Sequence, residues 1–168
     1  EIPVVLYNVP GRTGCDLLPE TVAVLSSHEN IIGLKESVAD ESRWQALYPL
    51  ASPGFSLLSG DDETFVRAMI GGAHGVISVA SNAVPATFAR ICRYVSEQNF
   101  DAALALDGQL QELYAFLGVE PNPVPIKAIM KLLGFGRGLR LPLLSLSDDY
   151  TGKADEMTDL CKPIEQSM

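Results

Sequence analysis

The 168 residues contain only three cysteines, Cys15, Cys92 and Cys161, widely spaced and with no CxxC pair. Such a set offers neither a disulfide framework nor a zinc ligand group, and reads as three ordinary thiols in a reducing cytosol. Histidine is as scarce: His28 and His74 stand apart without ligand spacing, so neither a metal centre nor a Ser/His/Asp set is read from them. Positive charge is in deficit, with 12 Lys and Arg against 21 Asp and Glu and a formal net charge of −9. No basic stripe occurs, which argues against nucleic acid or an anionic membrane surface as the main partner. Long apolar runs are missing too: stretches such as Ile2 to Tyr7 and Val76 to Ala80 fall far short of the roughly 20 residues of a membrane-spanning helix. A soluble, cytoplasmic protein with no membrane or nucleic-acid partner is the expectation.

What is present is enough apolar residue, 47% of the chain, for a real core. The chain opens on Glu1-Ile2-Pro3 directly into a strand-like run, without an initiator Met or a signal peptide, so it is expected to start in mid-fold. A βα rhythm follows. Val4 to Tyr7 is a short β-branched and aromatic run, then comes a turn-rich stretch, Asn8 to Gly14, then a helical pattern from Pro19 to Leu25. Ile31 to Lys35 with a helix over Asp40 to Leu47 makes a second unit. Phe55 to Leu58 makes a third, leading through Ser59-Gly60-Asp61-Asp62 into Glu63 to Ile70, where the acidic start suits a helix N-cap and first turn. Gly75 to Val79 with Ala86 to Ser96 after Pro85 makes a fourth. Strands that are apolar on both faces and separated by single helices predict a helix-covered parallel sheet; periodicity leaves barrel and open sheet both possible. Beyond Asn99 the pattern predicts helices only, over Phe100 to Leu117 and Val124 to Leu133, with the Pro-rich Glu120 to Pro123 as a helix entry. The tail after Ser145 is weakly patterned. The division expected is therefore 1–98 for the βα units and 99–168 for a carboxy-terminal helical domain.

Lys35 ends the apolar strand Ile31-Ile32-Gly33-Leu34, where a charged side chain needs a reason to be. Pointing inward with Gly33 below it, a partly dehydrated amine has a lowered pKa and enough neutral form to attack a ketone. Standing alone, such a lysine more often snorkels out of the strand end. Tyr7 occupies the same place on the first strand and could shuttle protons to an imine, though a rim tyrosine in a core is the blander reading. Arg12, on the loop that follows, could grip a carboxylate bidentately, or be a solvated loop arginine. Gly60 could let the backbone approach a ligand. Gly134-Phe-Gly-Arg-Gly138 follows a helix and not a strand, so it reads as a turn and not a nucleotide loop.

Tyr-Asn-Val-Pro-Gly-Arg-Thr-Gly at 7–14, Gly-Leu-Lys-Glu-Ser at 33–37, Leu-Leu-Ser-Gly-Asp-Asp at 57–62 and Gly-Val-Ile-Ser-Val at 75–79 closely resemble the dihydrodipicolinate synthase family in order and spacing. Glu120 to Lys127 and Leu139 to Pro142 match as well. The resemblance implies an α/β fold, the last four βα units of a (β/α)8 TIM barrel plus a helical domain. It implies a pyruvate-dependent lyase in which Lys35 forms the Schiff base, Tyr7 belongs to the proton relay and Arg12 binds the carboxylate of aspartate semialdehyde. Gly60 and Ile77 would line the pyruvate pocket, with no metal or organic cofactor, in a homo-oligomer, usually a tetramer or dimer. Sialic-acid lyases and other keto-acid aldolases share the Lys-and-Tyr barrel, but Arg12 within Pro-Gly-Arg-Thr resembles the synthase. The family's earlier βα units, with a Thr-Thr pair for the pyruvate carboxylate and a second tyrosine from a neighbouring subunit, have no counterpart in this sequence. The expectation is a truncated chain, inactive alone; a non-catalytic barrel fragment is the competing reading.

Overall fold

A computed structural model describes residues 2–166. The chain divides into two compact units at Ser78/Val79.

In the first unit the βα rhythm becomes β1 (Val4–Asn8), α1 (Pro10–Thr13), α2 (Pro19–Leu25), β2 (Ile31–Glu36), α3 (Glu41–Leu47), β3 (Ser56–Ser59), α4 (Phe65–Gly71) and β4 (Gly75–Val76). All strand pairs are parallel, and the order is β1-β2-β3-β4. A doubly wound sheet reverses its strand order at a switch point, whereas a barrel lays each strand beside the last in chain order. The sheet follows the barrel rule throughout. Leu34 and Leu57 are register partners, and with Val22, Leu47 and Phe65 from the helices they are fully buried, forming the helix-covered core. The opposite face, carrying Val5, Tyr7 and Lys35, is less covered.

Several expectations change in detail. The stretch Asn8 to Gly14 is not only turn, since α1 forms there and closes on Gly14 in the left-handed region at φ 66°. β4 pairs over two residues instead of the five from Gly75 to Val79, with one further bond from Ile77 N–H to Ser59 O, the last residue of β3. α4 starts at Phe65, so it has no acidic residue in its first turn. The acidic turn acts earlier: Asp61 accepts from the Thr64 N–H (3.1 Å) and hydroxyl (2.5 Å), folding the loop ahead of the helix. His74 extends the β3 side of the sheet. Its N–H donates to Leu57 O (2.8 Å), and its Nδ1 accepts from Leu57 N (3.1 Å).

The second unit is helical: α5 (Pro85–Ser96), α6 (Phe100–Gly108), α7 (Gln111–Leu117), α8 (Val124–Leu132) and α9 (Thr151–Gln166). The single helix read over Phe100 to Leu117 is two, broken by a tight turn in which Leu110 N–H donates to Asp107 O (2.9 Å). Gly108 at the break is a poor helix former with no side chain to hold the next turn. The weakly patterned tail forms the longest helix, because Ala154, Met157, Thr158, Cys161 and Ile164 recur on one buried face despite the charges between them. The turn reading of Gly134 to Gly138 holds, with Gly134, Gly136 and Gly138 all at φ between 80 and 86°. No helix among the described residues is long and apolar enough to cross a membrane.

α5 lacks a capping side chain at its own start, and Glu165 of α9 supplies one. Its carboxylate accepts from Ala86 N (2.6 Å), Thr87 N (2.9 Å) and the Thr87 hydroxyl (2.8 Å). Glu165→Ala leaves these donors at the positive end of a helix dipole unpaired, and should destabilise by about 1–2 kcal/mol, read as a lower urea midpoint at unchanged slope.

Candidate active site

Tyr7 and Lys35 are register partners at the carboxy ends of β1 and β2. Parallel pairing therefore places the two side chains next to each other on the less covered face. The half-buried Lys35 amine stands 3.9 Å from the centre of the Tyr7 ring, a cation–π contact. Tyr7 is 49% exposed, so the pair lies at a surface and not in a sealed core. Burial by itself would push the Tyr7 phenol up. The nearby Ser37 hydroxyl, hydrogen bonding and charge from Lys35, and the more distant charge of Arg12 outweigh it and bring the phenol below its ordinary range. A phenol so biased next to an amine can exchange protons with whatever forms on that amine.

Gly60 follows β3, and its N–H donates to Glu36 O (2.7 Å). A Cβ at Gly60 would lie 2.6 Å from Lys35 Cε and 3.0 Å from Lys35 Cγ, and would press on the Ser37 hydroxyl. Only glycine leaves the lysine its present course. Gly33 has a further task that the sequence did not announce: a Cβ there would meet Ser56 O at 2.5 Å. It admits the β3 backbone. Arg12 is exposed on α1, and its charge reaches the Tyr7 phenol. Ile77 follows β4, 46% exposed, with its N–H donating to Ser59 O (2.8 Å). The rim thus brings Tyr7, Lys35 and Gly60 into one group, with Arg12 acting from the adjoining loop and Ile77 at the end of the next strand but one.

Two features escaped the sequence reading. Ser37 Oγ is buried, makes no hydrogen bond of ordinary geometry, and lies close enough to Tyr7 to favour its phenolate. Behind the lysine, Glu36 is completely buried and accepts from Asn8 Nδ2 (3.0 Å to each oxygen), Val38 N (2.8 Å) and Arg43 Nη1 (3.3 Å). Burial pushes its carboxyl up despite these donors. The available signal was the alternation itself: a carboxylate next to Lys35 on a strand must point to the helix-covered side.

Residues 1–160 match the model of the dihydrodipicolinate synthetase family. Among curated relatives, the 4-hydroxy-tetrahydrodipicolinate synthase of Stenotrophomonas maltophilia (strain K279a) is 51% identical over 156 residues, and that of Xanthomonas axonopodis pv. citri (strain 306) is 53% identical over 156 residues. Each alignment covers 93% of this chain and 52% of the relative, so the chain spans about half the length of the curated relatives it matches. Among solved structures, the dihydrodipicolinate synthase of Aquifex aeolicus superposes with a TM-score of 0.89 at 35% identity, over 95% of this chain and 55% of that one. The chloride-inhibited enzyme of Acinetobacter baumannii complexed with pyruvate gives 0.90 at 34% identity, over 96% and 56%.

Proposed function

The chain belongs to the dihydrodipicolinate synthetase family, and we propose that Lys35 is the amine on which its protein condenses pyruvate with aspartate semialdehyde to 4-hydroxy-tetrahydrodipicolinate, a lyase step of lysine biosynthesis. The observation that carries this reading is the contact between the Lys35 amine and the Tyr7 ring, 3.9 Å apart on adjacent strands. The pyruvate complex of the related Acinetobacter baumannii enzyme supports the first substrate.

In this reading the neutral amine adds to the ketone carbon of pyruvate, and loss of water gives the imine. Tyr7 moves protons during the addition and the dehydration, for which a phenol biased downward by Ser37 and Lys35 is suited. The protonated imine is the electron sink. It allows a methyl proton of pyruvate to leave and the resulting enamine to attack the aldehyde, so neither a metal nor an organic cofactor is invoked. Arg12 grips the carboxylate of aspartate semialdehyde, while the backbone at Gly60 and Ile77 borders the pyruvate. Because α5 completes the fourth βα unit, we assign the barrel portion through residue 98, past the boundary of the compact units at Ser78/Val79, and the helical domain to 99–168; the working form in this reading is a cytoplasmic homo-oligomer. The Thr-Thr pair and second tyrosine of the family have no counterpart among these 168 residues, so we infer that they do not turn over by themselves.

Assay of the complete gene product with pyruvate plus aspartate semialdehyde, beside pyruvate plus a sugar-derived aldehyde, tests the reading. Condensation with the semialdehyde is expected; preference for the sugar aldehyde moves the assignment to a sialic-acid-lyase type.

A further inference from the structure

Between Asn8, the last residue of β1, and Asp16 lies the segment that carries Arg12, and both of its ends are tied to one polar cluster, buried at Asn8 and Glu36 and open to solvent at Asp16. Asn8 Nδ2 donates to Asp16 Oδ1 (2.9 Å) as well as to Glu36, and Asn8 Oδ1 accepts from Leu17 N (2.9 Å). Arg43, reaching across from α3 and nearly buried, pairs with the Asp16 carboxylate, donates to Leu17 O (3.1 Å) and to Glu36 Oε2 (3.3 Å). One guanidinium therefore holds the far end of the loop and the strand of Lys35 in a single fork, geometry that a lysine cannot reproduce.

Glu36 neighbours Lys35 in β2 but points to the other side, so it does not face the space where a substrate would sit on the lysine. A buried ion pair is a weak contributor to stability compared with an apolar replacement, and its best-attested use is to fix one arrangement. The arrangement fixed here is the distance between the two ends of the loop. Within the loop the closure continues: Thr13 Oγ1 donates to Cys15 O (2.8 Å), and Gly14 N donates to Pro10 O (2.9 Å).

We propose that Asn8, Asp16, Glu36 and Arg43 form a positioning cluster that sets where Arg12 stands, and so controls capture of the second substrate's carboxylate without controlling imine formation at Lys35. This deepens the function proposed above and rests on it. Asp16 is the partly exposed member of the pair, with 36% of its side chain accessible against 11% for Arg43, so its replacement is the milder test. Asp16→Asn keeps an acceptor for the Asn8 amide and removes one of the two charged partners of Arg43, leaving Glu36.

In the complete gene product, Asp16→Asn should raise KM for aspartate semialdehyde by about tenfold or more, the scale of a lost charge-assisted hydrogen bond. Borohydride trapping of pyruvate on Lys35 should stay within about twofold of the parent rate, because Lys35, Tyr7 and Ser37 keep their places and the charge of Arg12 is the smallest of the influences on the Tyr7 phenol. Arg43→Lys, which keeps the charge and loses the fork, should show the same split and provides the measurement if Asp16→Asn folds poorly. An unchanged KM in folded variants overturns the proposal, as does an equal fall in trapping and condensation, which marks a general staple of the fold. Failure of the unmodified protein to trap pyruvate strikes the Lys35 reading itself and is seen before any variant is made.

Discussion

Lys35→Ala in the complete gene product should abolish the borohydride-stable pyruvate adduct and lower condensation by on the order of 10⁴-fold or more, the scale seen when a covalent nucleophile is removed. Lys35→Arg is the informative companion. A guanidinium can keep a cation over the Tyr7 ring, as the ammonium does at 3.9 Å, but forms no imine. If the lysine's role were structural, Arg would rescue most of the activity; if it is the nucleophile, Arg and Ala fail alike. Intact mass after reduction in the presence of pyruvate separates the two. An adduct retained in Lys35→Ala would place the nucleophile elsewhere.

Gly60→Ala should be nearly as damaging, although it adds a single methyl. The new carbon would sit 2.6 Å from Lys35 Cε, beside the Ser37 hydroxyl and against a backbone tied to Glu36 O by a 2.7 Å hydrogen bond. The turn is held, so the lysine must yield. Shifting the amine by about 1 Å relative to Tyr7 should cost about 100-fold in trapping rate and in kcat/KM, with the folded structure retained by circular dichroism. Trapping at the parental rate would show that the lysine has room the geometry denies it.

Much of this arrangement is legible in the sequence because parallel βα units write their chemistry at regular intervals. Tyr7, Lys35 and Gly60 each follow an apolar run, and the strand order puts consecutive runs side by side. The roles of Gly33 and Gly60 were less readable. Both are single glycines near the rim, and only coordinates show that one admits the Ser56 carbonyl of a neighbouring strand while the other admits the shaft of Lys35. Glu36 and Arg43 were opaque for another reason: seven residues apart and on different elements, they make one network only after α3 has packed. α9 was missed because Asp155, Glu156, Asp159 and Lys162 on its solvent side dilute the apolar pattern in sequence, and because the helix contains a proline, the exposed Pro163.

The strand order has a last consequence. Since every strand lies next to its chain neighbour, the segments at the rim form a queue in which the Arg12 segment borders that of Ser37, and that of Ser37 borders Gly60. Each βα unit contributes one rim piece, and each piece is held against the next, Asp16 through Arg43 to Glu36 and Gly60 against Lys35 and Ser37. On the reading proposed above, the carboxylate grip and the amine stand on neighbouring rim segments joined through Asn8, Asp16, Glu36 and Arg43, so a change made in one segment is felt in the next.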